Sequence, residues 1–415
     1  MTSYHENPDE SKHLWHWISV ARQLALTIGL NRDLGQGKME DQKRHLWKRV
    51  WWCCYIRDCT VAFGVRQRPS ISGEECQWSK LEIGDFEISP VSSVAREVFG
   101  ECHLLFDFAL QTHLAEVCIA QLKLCDILTD IMNTRYTSAF PRYGHTLDTT
   151  VVLMPKPSHA NPQGIYDCHQ RLEGWFFSLR EQFVYRCPPS PAFEANDKIL
   201  MLSVCLINLL YHALYCALHR SVPSPPDQID LAADSRSRYR ARCGAGLILS
   251  IFEHSQARDI IRYMPPWAVS VLMQAALTYK TSGNDLQGQA GRRLQDCIEF
   301  LECLKDCHVH ASFGISLLNE VVVRPRYLQL ESNTSTAEVG EDSANGMNGA
   351  EAYVQGSNSG TSQNSDHRVF SHESQQAGAG TGVQYNACLE FGVQEDFPWF
   401  ADFADQDFWP LNGCP

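Results

Sequence analysis

The sequence predicts an all-α body followed by an acidic tail without regular structure. Three observations carry this. Apolar residues recur at three- and four-residue spacing in segment after segment up to about residue 325. No segment outside the loops alternates with the period of a strand. From Leu330 onward Ser, Asn, Gly, Gln and Thr dominate, and large apolar residues almost vanish until the last thirty positions.

The first helix is well punctuated. Asn7 suits the N-cap, Pro8 the first helical position and Glu10 the capping-box position. Leu14, Trp17, Ile18, Ala21, Leu24, Ala25 and Ile28 then make one apolar stripe, Gly29 supplies a left-handed stop, and Leu30 can fold back on the last turn. The second helix is expected from about Asp41 to Phe63, stopping at Gly64. Trp47, Trp51 and Trp52 sit at helical spacing beside Lys48 and Arg49. They read as core rings with cations on the solvent face, not as a nucleic-acid stacking patch. Asp58 falls in line with Trp51, Cys54, Tyr55, Val61 and Ala62, so it should face the interior, where a carboxylate needs a cation or several donors. Arg68, beyond the Gly64 turn, can fold back to meet it, and Arg32 and Arg57 are other candidates. Such a pair would fix the turn; sensing of a ligand or partner is the alternative role.

Residues 65–92 read as loop, broken by Pro69, Gly73, Gly84 and Pro90. One long helix is expected from about Ala95 to Met132, with Val98, Leu105, Phe108, Leu114, Val117, Leu124 and Leu128 on one side, then a loop over 136–163. Ile165, Cys168, Leu172, Trp175, Leu179 and Phe183 keep amphipathic spacing. Asp197 opens the most apolar helix, which runs to Leu218. It approaches the ~20 residues of a membrane span, but Ser203, Asn208 and His212 favour a buried core helix. Further helices are expected over Asp234–Ala257, Pro266–Tyr279, Gly291–Cys307 and Phe313–Val323.

Charge separates body from tail. The net formal charge is −13, and residues 331–415 hold thirteen acidic residues against Arg368 alone, a balance of −12 that leaves the other 330 residues near −1. A near-neutral body lacks the basic footprint of a nucleic-acid-binding domain. In the last thirty residues Phe397, Trp399, Phe400, Phe403, Phe408 and Trp409 are interleaved with Glu395, Asp396, Asp402, Asp405 and Asp407. Repulsion among the acids keeps the rings from collapsing together, so they stay available to a hydrophobic groove on a partner, as in an activation segment. Docking on the body is the alternative.

Reactive chemistry is not written into the chain. The sequence has no Cys-x-x-Cys, no His-Glu-x-x-His, no nucleophile elbow and no phosphate-binding glycine loop in a strand–helix context. The seventeen cysteines are scattered, many in apolar helices (Cys118, Cys125, Cys205, Cys216, Cys297, Cys303), as small core residues of a reducing compartment. Cys303 and Cys307, with His308 and His310 beyond, are the nearest approach to a metal site and read as core thiols. No catalytic, cofactor or metal residues are expected.

Three blocks carry a resemblance. Ala21, Leu24, Ala25, Gly29, Leu30, Asn31, Arg32 and Asp33 form the first. Leu46, Trp51, Trp52, Asp58, Gly64, Arg68, Pro69 and Ile71 form the second. Leu209, Tyr211, His212, Leu218, His219 and Arg220 form the weaker third, with Ser221 where a proline is usual. In this order they resemble the fungal-specific transcription factor regulatory domain, the all-helical middle homology region of fungal zinc-cluster activators. Trp51, Trp52, Asp58, Gly64, Arg68 and Pro69 are its structural signature here. The six-cysteine zinc cluster that usually precedes the domain is not in this sequence, and the chain opens inside the domain.

The resemblance implies a regulatory domain over 1–329, N-terminally incomplete; 330–385 reads as a disordered low-complexity linker and 386–415 as an acidic-aromatic activation segment. It implies work in the nucleus, with no membrane, on pathway genes such as those of a secondary-metabolite cluster. The implied partners are the transcriptional machinery or co-regulators, with DNA reached only indirectly, through a DNA-binding transcription factor as homo- or heterodimer or through a missing module. The alternative is a helical small-molecule-binding protein or an enzyme of unrecognised type.

Overall fold

In the computed structural model, residues 14–35, 39–89, 93–100, 102–139, 152–156, 161–220, 231–281 and 288–323 are described. The Asn7–Pro8–Glu10 start signal, the 330–385 linker and the 386–415 segment lie outside them. The described part is all-α, with twelve helices and one two-stranded hairpin. The helices are α1 (Leu14–Thr27), α2 (Asp41–Gly64), α3 (Ser93–Phe99), α4 (His103–Phe106), α5 (Phe108–Arg135), α6 (Pro162–Phe177), α7 (Pro191–Glu194), α8 (Lys198–His219), α9 (Leu231–Ala257), α10 (Trp267–Thr281), α11 (Gln289–Leu304) and α12 (Val309–Val323).

The apolar helix α8 is the hub. It packs against α5, α6, α9 and α10, and α9 to α12 stack on one another in sequence. Its length and composition would let it cross a membrane, but most of its apolar window is buried inside the body. Leu209, Leu210, Ala213, Leu214 and Cys216 are wholly buried. Asp197 caps its start, the side chain accepting from the Ile199 amide at 2.8 Å. The polar residues that argued against a span are accommodated. Asn208 donates to the carbonyls of Phe183 and Val204 and accepts from the Tyr185 amide, so its burial is fully compensated.

Three expectations are corrected. The long helix expected over Ala95–Met132 is three helices. Gly100 adopts φ +61°, which breaks the run, and Asp107 restarts it by capping α5 through the Leu110 amide. The expected loop over 136–163 contains β1 (Tyr136–Ala139) and β2 (Val152–Pro155), antiparallel with Tyr136 opposite Pro155. Four-residue strands are too short to show a period. Finally, the stripe of α1 is only partly buried: Ile18 and Ala25 are inside, whereas Leu24 and Ile28 are about 60% exposed. Spacing marks an apolar face; it does not say that something covers the whole of it.

Candidate functional site

Trp52 and Asp58 of the signature face the loop 70–87 beside α1 and α2, while Gly64 meets α10 and Arg68 reaches the end of α5 and β1. The end of α1 is a Schellman turn. Gly29 sits at φ +72°, its amide reaches the Leu26 carbonyl and the Leu30 amide reaches Ala25. This turns Leu30 into the core and points its carbonyl at Trp78, whose Nε1 donates to it at 2.8 Å. Asn31 donates to the Glu75 carbonyl and accepts, through its own carbonyl, from the Gln77 amide. Asp33 takes two hydrogen bonds from the Arg44 guanidinium on α2, which holds its carboxyl below the usual carboxylate range. Arg44 in turn lies over the Trp78 ring, 5.4 Å from its centroid.

On α2 the rings are core. Trp51 is wholly buried and Trp52 nearly so. Trp52 donates to the Ser79 carbonyl and meets Tyr55 edge-on, while Lys80 sits 4.3 Å from the Trp52 ring centroid and pairs with Asp126. The cations do not line the solvent face as expected. Lys48 shares the helix face of Trp51, Trp52 and Tyr55 and is buried against Asp85 at 2.6 Å, with both side chains under 10% exposed. Arg49 holds the Asp85 carbonyl and Glu87. Asp85 also accepts from the Glu82 amide in a capping box. A three-to-four residue spacing puts Lys48 on the core face, and only the folded loop reveals the acid that neutralises it there.

Asp58 is fully buried, and its pairing differs from the expectation. Its carboxylate accepts from the Ser70 hydroxyl and the Ile71 amide, both at 2.8 Å, so it clamps the Arg68–Ile71 turn. Burial pushes its pKa up, with the Ile71 and Ser70 hydrogen bonds pulling the other way. Arg68 is exposed and reaches past the turn to the Asn133 side chain and the Tyr136 carbonyl, tying the turn after α2 to the end of α5 and to β1. Pro69 is half-buried. The helix ends at Gly64, as expected, but Gly64 is not left-handed. Arg66 is, at φ 51°, with its amide on Phe63 and the Gln67 amide on Ala62. Gly64 serves close approach instead: a Cβ there would stand 3.1 Å from Ser270 Oγ on α10.

The third block lies on α8. Tyr211 stacks on Trp175 and Phe176. His219 and His169 meet at 3.1 Å, and His169 contacts Glu173. Burial takes the pKa values of His212 and His219 down to about 3, so both rings are neutral. Arg135, at the end of α5, donates to the carbonyls of Lys156 and Arg220, and Arg220 donates to Gln274 on α10. Guanidiniums at the ends of α5 and α8 also oppose the negative ends of those helix dipoles.

Among the described residues no group of three or more His, Cys, Asp or Glu is placed to hold a metal ion. His308 is turned to the Met264 carbonyl and Cys303 receives the Gln256 amide, so the Cys303–Cys307–His308 stretch does not converge. Burial raises the Cys205 and Cys216 thiols to about 12, the state of packed rather than reactive sulfur. The site is therefore a clamp in which the side chains of Trp52, Asp58 and Arg68 engage other parts of the chain.

Residues 1–177 match the model of the fungal specific transcription factor domain. Over these residues the chain is similar to that family. The relatives agree. The chain is 28% identical over 331 residues to cutinase transcription factor 1 beta of Fusarium vanettenii, covering 77% of this chain and 38% of that one. It is 24% identical over 285 residues to transcription factor cpaR of Aspergillus oryzae (67% and 46%), and 21% identical over 339 residues to the acetamidase regulatory protein of Emericella nidulans (80% and 36%). The chain thus spans less than half the length of these relatives, which are named as transcription factors and regulators. No solved structure matches. The matched region of the fungal transcription factor domain covers α1 to α6, the part that holds the first two blocks; the α8 block lies beyond it.

The sequence missed Lys48–Asp85, the Tyr55–Lys80–Asp126 group and the His169–His219 pair. Only Lys48 left a signal, its position on the tryptophan face of α2.

Proposed function

We propose that this chain regulates transcription of pathway genes from the nucleus, its targets including a secondary-metabolite gene cluster. The observation that carries the reading is the clamp around Trp51, Trp52 and Asp58 in a region matched by the fungal transcription factor domain, with relatives named as regulators. In this reading residues 1–329 are the regulatory domain, 330–385 link it to the tail, and the acidic-aromatic segment 386–415 recruits transcriptional machinery or co-regulators. The near-neutral body and the acidic tail support indirect contact with DNA, through a DNA-binding partner or another module. The relatives' names, which refer to cutinase and acetamidase, support control of pathway genes as a class.

Fusing residues 386–415 to a heterologous DNA-binding domain tests the reading. Reporter activation that falls when Trp399, Phe400, Phe403 and Trp409 are replaced by alanine is the expected result. A silent reporter would remove the activator assignment.

A further inference from the structure

The hairpin of α1 and α2 has one covered face and one open face. It is antiparallel. Asp33, just past α1, pairs with Arg44 early in α2, while the charge of Arg22 acts on Asp58, late in α2. The 70–87 loop covers one face, where Lys48 meets Asp85 and Arg22 meets Glu75. Two places along a helix is about 160° around it. Leu46 and Val50 stand at that angle on either side of Lys48, and Leu24 stands at it from Arg22. All three therefore point away from the loop, with Ile28 and Cys53 one turn further along their helices. Leu24, Ile28, Leu46 and Val50 are 61, 60, 49 and 41% exposed, and Cys53 is exposed too. Together they leave on the order of 400 Å² of apolar surface in water, the size at which a surface patch marks an interaction site. The body does not need this stripe for its own core, which takes Ala25 and Trp51 from the other sides of the same helices.

We propose that this open face of the α1–α2 hairpin is the contact surface for a second copy of the chain, two hairpins closing into a four-helix bundle. Area, charge and shape select that occupant. The apolar centre, with half-buried Trp17 and Trp47 at its margin, supplies more than half of the ~800 Å² per partner that a stable interface takes. The centre carries no charge, as suits contact between copies, whose interfaces are the more apolar ones. The charges on this side, Lys43 and Arg57, stand at the two ends of the α2 stripe, and the α1 stripe has none. A two-fold axis running along the hairpin lays α2 of one copy on α1 of the other, which keeps Lys43 and Arg57 away from their counterparts. The exposed stripes cover about two turns on each helix, so the apolar lengths match, as bundle packing requires. The inference rests on the fold and not on the regulatory reading.

Sedimentation velocity of the full chain and maleimide labelling of Cys53, followed by peptide mass, test it together. An interface of this size supports micromolar affinity; with a Kd of ~10 µM, roughly four-fifths of the chains pair at ~100 µM and few do at ~1 µM. The wild type should therefore sediment as a dimer at the higher concentration, and its Cys53 should label about fivefold more slowly there. Cys187 is exposed beside Ser250 on α9, and its labelling rate should be the same at both concentrations. L24E/L46E should sediment as a monomer at both concentrations and label Cys53 at the fast rate throughout. Both positions are exposed, and an unchanged thermal melt at the lower concentration would show that the variant folds. A wild type that stays monomeric at the higher concentration would overturn the proposal. So would a dimer whose Cys53 labels equally fast at both concentrations, which would put the contact on another face. A silent reporter in the fusion assay would remove the activation reading and leave both of these readouts unchanged.

Discussion

The two ends of the body are stabilised in different ways. Around α1, α2 and the 70–87 loop, buried polar groups meet specific partners: Lys48 with Asp85, Asp58 with Ser70 and Ile71, Asp33 with Arg44, Trp78 with the Leu30 carbonyl. Around α8 to α12 Leu209, Leu210, Leu214, Ile248, Leu249, Leu272 and Leu301 are wholly buried, and the buried polar groups set among them, such as Asn208, His212, His219 and Gln274, are mostly neutral. Hydrocarbon tolerates exchange of one apolar residue for another of similar volume. A buried ion pair or carboxylate clamp tolerates loss of neither partner. The family model matches up to residue 177, before the apolar hub, whereas the relatives align over 331 to 339 residues and so across both parts.

Large truncations should break the two halves differently. Trp51→Ala empties the largest wholly buried side chain of the clamp and should cost ~4 kcal/mol, with Leu214→Ala in α8 costing ~3 kcal/mol. Urea unfolding followed by circular dichroism measures both. Trypsin should cut the 65–87 loop early in the first variant only. Equal loop protection in the two would dissolve the distinction.

Lys48→Met tests the buried ion pair. It keeps the hydrocarbon stem but leaves Asp85 buried with the Glu82 amide, for an expected loss of ~3 kcal/mol. A stability unchanged within error would mean that the pair contributes register and no energy.

Acid should attack the apolar half first. His212 and His219 have folded pKa values near 3, below the ~6.5 of an unfolded histidine. Their contribution is therefore complete above about pH 6.5 and is lost as pH falls toward 3, by about 1.4 kcal/mol per pH unit for each ring. Asp58 has the opposite sign, because its pKa is raised: its protonation favours the folded state as pH falls. Stability from denaturant midpoints between pH 7 and 4 should slope steeply in the wild type. The slope should be shallower in His219→Asn.

The smallest effect is expected at Gly64. Alanine there gains helix propensity of ~1 kcal/mol but meets Ser270 Oγ at 3.1 Å, so the two terms should nearly cancel. In a Ser270→Gly background the same substitution should stabilise by ~1 kcal/mol in thermal melts, and failure to do so would place the constraint elsewhere.

Periodicity was enough for the helices that carry both a start signal and a stop. Asp197 and Gly29 stand where the sequence placed them, because caps act through hydrogen bonds within a few residues. It failed at Gly100 and Asp107, where a stripe of apolar residues continues through a break in the backbone. It failed again at the 136–139 and 152–155 strands, whose hydrogen bonds join segments too short to show alternation. Within the clamp, the inward direction of Asp58 followed from its place beside Trp51 and Tyr55. Its donors did not, because Ser70 and Ile71 reach it only once the turn has closed.

By itself, then, the sequence determined the helical class, the inward faces of α2 and α8 and the separation of charge between body and tail, since these depend on spacing and composition. Tertiary structure decided which polar groups meet: Lys48 with Asp85 across 37 residues, Ser270 against Gly64 across 206, Arg68 with Asn133 rather than Asp58. A helix face says only that a side chain points inward; the identity of the group waiting there depends on how distant segments pack.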